Sequence, residues 1–422
     1  MWRMISLARA RSSHTGYARA TRVVYTVEML TDRGARTQQV VAAACCLMLS
    51  SALHAACRDG QAGAANAQPK GAPAPAQAAS QTNAPASAKS PTASAEPAAP
   101  LLTVQRTREM MGTIIQMTVV GVPEERAAPV LEAAMAEMAR LEALLSEWRD
   151  DSEVSQINRA AGQHPVKVSP DTLANVRVGL EVARWSDGAF DISWAALRGL
   201  YLFQPGQERV PTDAELAARL PLVNYKNVVL NEKAGTVFLK KKGMELGLGG
   251  IAKGYALEKA ADILLEAGLS NFMFFGGGQV VVHGKKGNRG WRVGVQHPRL
   301  NDYFGFIEAE QGSIATSGDY EHAFIKDGKR WHHIIDLKTG RPVEHTSAVT
   351  VISDSAFYAD AIDTALFIMG PQKALAKLAS APGPKADVLI IGADMHLYLS
   401  PGMQKRLTIR APIKDGKLPL TH

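Results

Sequence analysis

Cysteine is almost missing from this chain. Of 422 residues only Cys45, Cys46 and Cys57 are cysteine, and none lies beyond position 57. Residues 101–422 therefore hold no disulfide, no cysteine nucleophile and no thiolate-ligated zinc or iron–sulfur site, and any metal there must use oxygen or imidazole ligands. A strong charge is also missing from that stretch. The chain carries a net +7, but residues 1–57 hold seven arginines (Arg3, Arg9, Arg11, Arg19, Arg22, Arg33 and Arg36) against only Glu28 and Asp32. The remainder is close to neutral, so the basic pI says nothing for nucleic acid, and no nucleic-acid partner is expected. At 46% hydrophobic and 21% charged residues, the composition excludes a wholly disordered or collagen-like chain. There is no internal repeat.

The uncharged apolar run 40–53 (VVAAACCLMLSSAL) follows Arg33 and Arg36. It is too short to span a bilayer comfortably and fits the apolar region of a secretory signal. With Leu53-His54-Ala55-Ala56-Cys57 behind it, the segment resembles a bacterial lipoprotein signal in which Cys57 becomes the lipidated first residue. His54 stands where Leu is usual. The alternative is ordinary signal cleavage nearby or after Ala67. An Arg-rich extension precedes this signal, leaving Met1 and Met29 as alternative starts. From Arg58 to Pro100 the sequence is mostly Ala, Pro, Ser, Gln and Gly, which cannot bury enough apolar surface to offset its ordering entropy. The expected organisation is an extension and signal peptide (1–56), a flexible linker (57–100) and a folded body (101–422), placed on the periplasmic side of a bacterial membrane.

Within the body, 113–121 reads as a strand, and Leu131, Ala134, Met135, Met138, Leu141 and Leu145 are spaced as one apolar helix face. Helices are also expected at 152–160, 171–185, from Pro211, and at 251–267, 356–369 and 371–379. Alternating strands are expected at 227–239, 291–296, 304–309 and 347–353. Strands cluster between helices rather than alternating strictly with them, so the fold class is α+β.

Three constellations could carry chemistry. Gly247-Leu248-Gly249-Gly250-Ile251-Ala252-Lys253-Gly254 leads into a helix. Close backbone approach, a helix N-terminus and Lys253 together suit a phosphate or pyrophosphate. The run also fits the dinucleotide spacing G-x-G-x-x-A, with Glu266 nineteen residues after Gly247, though a packing turn explains such a run equally well. Asp360, Asp363 and Thr364 share one face of the helix 356–369. They are hard oxygen ligands suited to Mg²⁺ on a diphosphate, or else a solvated polar stripe. In His332-His333-Ile334-Ile335-Asp336, strand alternation points the two histidines opposite ways, so only one can serve a given site. Either is otherwise a surface or core histidine.

In order along the chain, Met111-Gly112-Thr113, Leu145-Ser146 through Trp148 to Asp151-Ser152, Gly188-Ala189-Phe190-Asp191, Gly249 to Ala256, Trp291 to Val295, Thr316-Ser317-Gly318-Asp319, His333 to Asp336 and Asp360 to Leu366 resemble the ApbE family of FAD:protein FMN transferases. The resemblance covers nearly all of 103–400. It implies an ApbE-like fold and an enzyme that splits FAD with Mg²⁺, releases AMP and leaves FMN on a Thr or Ser of an acceptor redox protein. It further implies FAD contacts at Met111, Trp148, Ala189, Phe190, Asp191, Lys253 and Ile334. The Mg²⁺ ligands would be Gly250, Asp360, Asp363 and Thr364, and His333 would be the base. The chain departs from the family pattern at Gly247, where Asp is usual, at Gln279, where an acidic residue or Asn is common, and at Leu337, where Pro is usual. Two other readings compete. One is a flavin-nucleotide carrier lipoprotein without transfer activity, motivated by Gly247. The other is a dinucleotide-dependent oxidoreductase, motivated by G-x-G-x-x-A.

Overall fold

A computed structural model describes residues 101–420, and in addition the backbone of three short strands at Trp2–Met4, Val24–Leu30 and Arg36–Ala42. Most of the expected signal, Cys57 and the linker 58–100 lie outside the described residues.

An eight-stranded sheet organises the body. Its strands run in the order Leu397–Leu399, Ala386–Gly392, Thr346–Ser353, Gln311–Gly318, Gln279–His283, Phe272–Gly276, Thr113–Val120, Thr103–Met110, and every neighbouring pair is antiparallel. Both faces of this sheet are covered, and side-chain alternation divides its residues between two cores. Val281, Val349, Val351, Val388 and Ile390 pack under helices. Val280, Val282, Ile352, Leu389 and Ile391 join Trp291, Val293, Phe304 and Ile307 on the other side, where Trp291–Gln296, Tyr303–Ala309 and Leu407–Ile409 form a second, three-stranded sheet. The fold is α+β, as expected, and the antiparallel pairing removes the parallel βαβ unit that the oxidoreductase reading needs.

The helix Glu124–Leu145 buries all six residues expected on its apolar face. Helices begin where short polar side chains can cap them: Ser152, Ser169 and Thr212 each accept from a first-turn N–H, and Thr212 forms a full capping box with Glu215. Two helices position the site. Ala252–Glu266 and Ala356–Met369 cross closely because Gly254 has no side chain: a Cβ there would lie 2.2 Å from the Ala356 carbonyl oxygen and 2.8 Å from Asp360 Cβ. Ser355 caps the second helix by accepting from the Tyr358 N–H. Glu258 of the first helix accepts from Ser355 Oγ at 2.7 Å and from the Phe357 N–H at 3.1 Å, which fixes the entry of the helix bearing the carboxylates.

Candidate active site

Asp360 faces the glycine-led helix and accepts from it twice. Lys253 Nζ lies 2.6 Å from Oδ1, and the Gly254 N–H donates to Oδ2 at 2.8 Å. The helix N-terminus expected to cradle a diphosphate is thus partly taken by a carboxylate of the protein itself. Lys253 Nζ also donates to Gln279 Oε1 at 3.2 Å, and Gln279 Nε2 donates to Ser313 Oγ and the Ala356 carbonyl. One turn beyond Asp360, Thr364 Oγ1 donates to Asp363 Oδ1 at 3.1 Å and lies 3.4 Å from Ser317 Oγ. Asp360 and Asp363 are both almost fully buried. Burial, then the neighbouring Asp360 charge, push the Asp363 carboxyl far above the usual carboxylate range, against the pull of Lys253. Asp360, Asp363, Thr364 and Ser317 offer hard oxygen ligands at one place, and a carboxyl held protonated by burial and a like neighbour is one that a hard divalent cation such as Mg²⁺ would ionise.

The glycine run forms a wall in which three glycines are each overlain by a side chain. A Cβ on Gly249 would stand 3.4 Å from Glu147 Oε1, and one on Gly250 would stand 3.2 Å from the Phe190 ring. On Gly247 it would stand 2.7–2.8 Å from three atoms of the Trp194 indole. Trp194 Nε1 donates to the Gly247 carbonyl at 3.0 Å. Gly247 is therefore buried under tryptophan, and its missing carboxylate leaves no open space. Nearby, Trp148 is 71% exposed and carries the Arg198 guanidinium 5.2 Å above its ring. Arg198 also donates to the Glu147 carbonyl and pairs with Glu245.

The remaining motifs join by contact. Met110 pairs with Thr113 across the two-residue loop Met111-Gly112, whose φ values are 53° and 70°. Such a turn normally takes Asn or Gly, so Met111 is a strained choice. Its N–H is anchored to Glu142 Oε1 at 2.8 Å. Thr113 lies against Gly277, and the Gly278 carbonyl accepts from the Thr316 N–H. Thr316 leads to Ser317 and so to Thr364.

The two histidines separate as alternation requires. His332 is buried: Nε2 donates to the Val343 carbonyl at 2.8 Å and Nδ1 accepts from the Ile334 N–H. His333 is exposed to solvent, with the His322 ring packed edge to face against it. Desolvation by the surrounding protein, then the His322 and His332 rings, lower its pKa. It is neutral at pH 7.

Not every expected contact presents its side chain. Asp191 accepts from the Ser193 N–H, Ser193 Oγ and the Tyr225 N–H, and the Ile334 side chain belongs to the core. Only their main chains could meet a ligand. Ala189 is half-buried beside Phe190. Three participants escaped the sequence reading. Trp194 and Glu147 have no spacing that marks them. Asp319, marked only as the end of the motif Thr316-Ser317-Gly318-Asp319, is buried in a two-bond pair with Arg299 at 2.6 and 2.7 Å.

A body of antiparallel sheets and helices that carries a glycine wall, a buried carboxylate–lysine pair and an exposed tryptophan is matched by solved flavin transferases. The ApbE protein of Thermotoga maritima shares the fold with a TM-score of 0.67 and 32% identity, over 72% of this chain and 99% of that one. The flavin transferase ApbE from Vibrio cholerae does so with a TM-score of 0.64 and 27% identity, over 73% and 100%. The chain belongs to the ApbE family, which it matches over residues 111–389. A protein of Klebsiella pneumoniae (strain 342) named FAD:protein FMN transferase is 34% identical over 310 residues, 73% of this chain and 94% of that relative. One of that name from Salmonella typhimurium is 32% identical over 291 residues, 67% and 82%.

Proposed function

We propose that this FAD:protein FMN transferase, with Mg²⁺, moves FMN from FAD onto a Ser or Thr hydroxyl of a periplasm-facing redox protein and releases AMP. The observation that carries the reading is the buried pair Asp360 and Asp363, with Thr364 and Ser317, beside Lys253. Asp360, Asp363, Thr364 and the main chain of Gly250 would hold Mg²⁺, which supplies positive charge to the diphosphate and its leaving group. Lys253, 2.6 Å from Asp360, brings a second cation to the same place. Trp148, Phe190, Met111 and Ala189 bound the cleft in which FAD is oriented, with Asp191 and Ile334 contributing main chain only. His333, neutral at pH 7, takes the proton of the acceptor hydroxyl on a ring nitrogen. The hydroxyl oxygen bonds to the phosphorus of the FMN half, and the bond from that phosphorus to the oxygen of the AMP phosphate breaks.

The carrier reading rested on Gly247, and the packing of Trp194 gives that residue a structural reason. Lipidation at Cys57 would tether the enzyme to the membrane through the linker.

Adding EDTA to purified protein, FAD and an acceptor domain should abolish flavin labelling seen by in-gel fluorescence, and Mg²⁺ should restore it. Undiminished labelling in EDTA removes the metal from the mechanism.

A further inference from the structure

The short strands Ala323–Lys326 and Lys329–His332 form a separate hairpin, with His322 just before it and His333 just after. The His333 N–H donates to the His322 carbonyl at 3.1 Å, so the hairpin closes with these two residues side by side. Their rings lie 5.1 Å apart, centroid to centroid, at 85°. An edge-to-face contact turns the electron-poor rim of one ring toward the face of the other and favours one orientation. Both side chains are exposed to solvent. Nothing in the expected family pattern called for His322.

Resting on the reading of His333 as the base, we propose that His322 is a positioning residue for the transfer reaction, holding the His333 ring in its working orientation. A smaller effect is electrostatic. A proton on either imidazole disfavours a proton on the other. The charged groups facing the pair are Glu321 beside His322 and His332 behind the strand. Asp319, Arg299 and Arg330 act on His332. His332 has both ring nitrogens engaged with backbone, so it cannot take over the role of His322.

The test compares His322→Ala, His322→Phe and His333→Asn in FMN transfer across pH, with imidazole NMR titration of His333 in the full protein. His322→Ala is expected to lower kcat at least several-fold with FAD affinity unchanged. It should also move the acid limb of the rate profile, and the His333 titration, a small way upward, since desolvation, the larger cause, stays in place. His322→Phe should recover much of kcat by restoring ring packing while leaving the acid limb displaced. An unchanged profile and titration in His322→Ala overturn the inference. If instead His333→Asn keeps its activity and acid limb, the base assignment itself fails.

Discussion

At Gly247 the backbone does not need glycine, since its φ lies outside the positive region. What excludes a side chain is the indole of Trp194. From the sequence, restoring the usual carboxylate would be expected to tighten FAD binding. The structure reverses that expectation, because Gly247→Asp must first displace a tryptophan. Overpacking of this kind costs about 1–3 kcal/mol. Urea unfolding should show that loss for Gly247→Asp, with FAD affinity weakened, and adding Trp194→Ala should recover part of the stability. Tighter FAD binding at unchanged stability would contradict the packing argument. Asp360 also has two jobs. Asp360→Ala removes a proposed ligand, leaves Lys253 without its partner and frees the Gly254 N–H. Breaking a buried pair typically costs about 3–5 kcal/mol. Transfer should vanish and the unfolding midpoint should fall together. Lost transfer at wild-type stability would mean that the Lys253 contact is worth little.

Among the elements, helices were the most legible. Glu124–Leu145, Pro170–Trp185, Ala252–Glu266 and Ala356–Met369 carry strong periodicity, and the second and fourth open on capping serines, Ser169 and Ser355. The strands of the large sheet were read less completely. Phe272–Gly276, Gln279–His283 and Ala386–Gly392 are buried on both faces and do not alternate in polarity. Gln311–Gly318 contains two glycines and little β-branching. The site was legible where residues recur at fixed spacing, as in Asp360, Asp363 and Thr364. It was not where distant segments meet, as with Trp194 on Gly247. The hairpin at 323–332 gives a test of its own. His332 is neutral with both nitrogens satisfied, and burial lowers its pKa. Below the usual value of about 6.5 the unfolded chain binds a proton that the folded ring refuses, so stability falls as pH drops. Burial lowers His345 in the same direction. Denaturant midpoints should therefore decline between about pH 7 and about pH 5, and His332→Gln should reduce that slope. A slope equal to wild type would show that His332 is not among the groups responsible.

For the whole molecule, the excess of arginine lies in residues 1–57 and the body beyond residue 100 is close to neutral, which gives no support to a nucleic-acid partner. Among the described residues no helix is long and apolar enough to cross a membrane. The proposed attachment at Cys57 rests on the signal-like sequence before it. Cys57→Ser should abolish incorporation of a labelled fatty acid and release the protein from the membrane fraction. Continued labelling would rule that cysteine out. The central claim is group transfer itself, and it is tested most directly by following both halves of FAD in one reaction. Purified protein, FAD, Mg²⁺ and an acceptor domain are incubated, acceptor-bound flavin is read by in-gel fluorescence, and AMP is quantified from the same samples. Transfer predicts that AMP and labelled acceptor accumulate in equal amounts. Tight FAD binding with no labelled acceptor, or AMP formed without label, would contradict it.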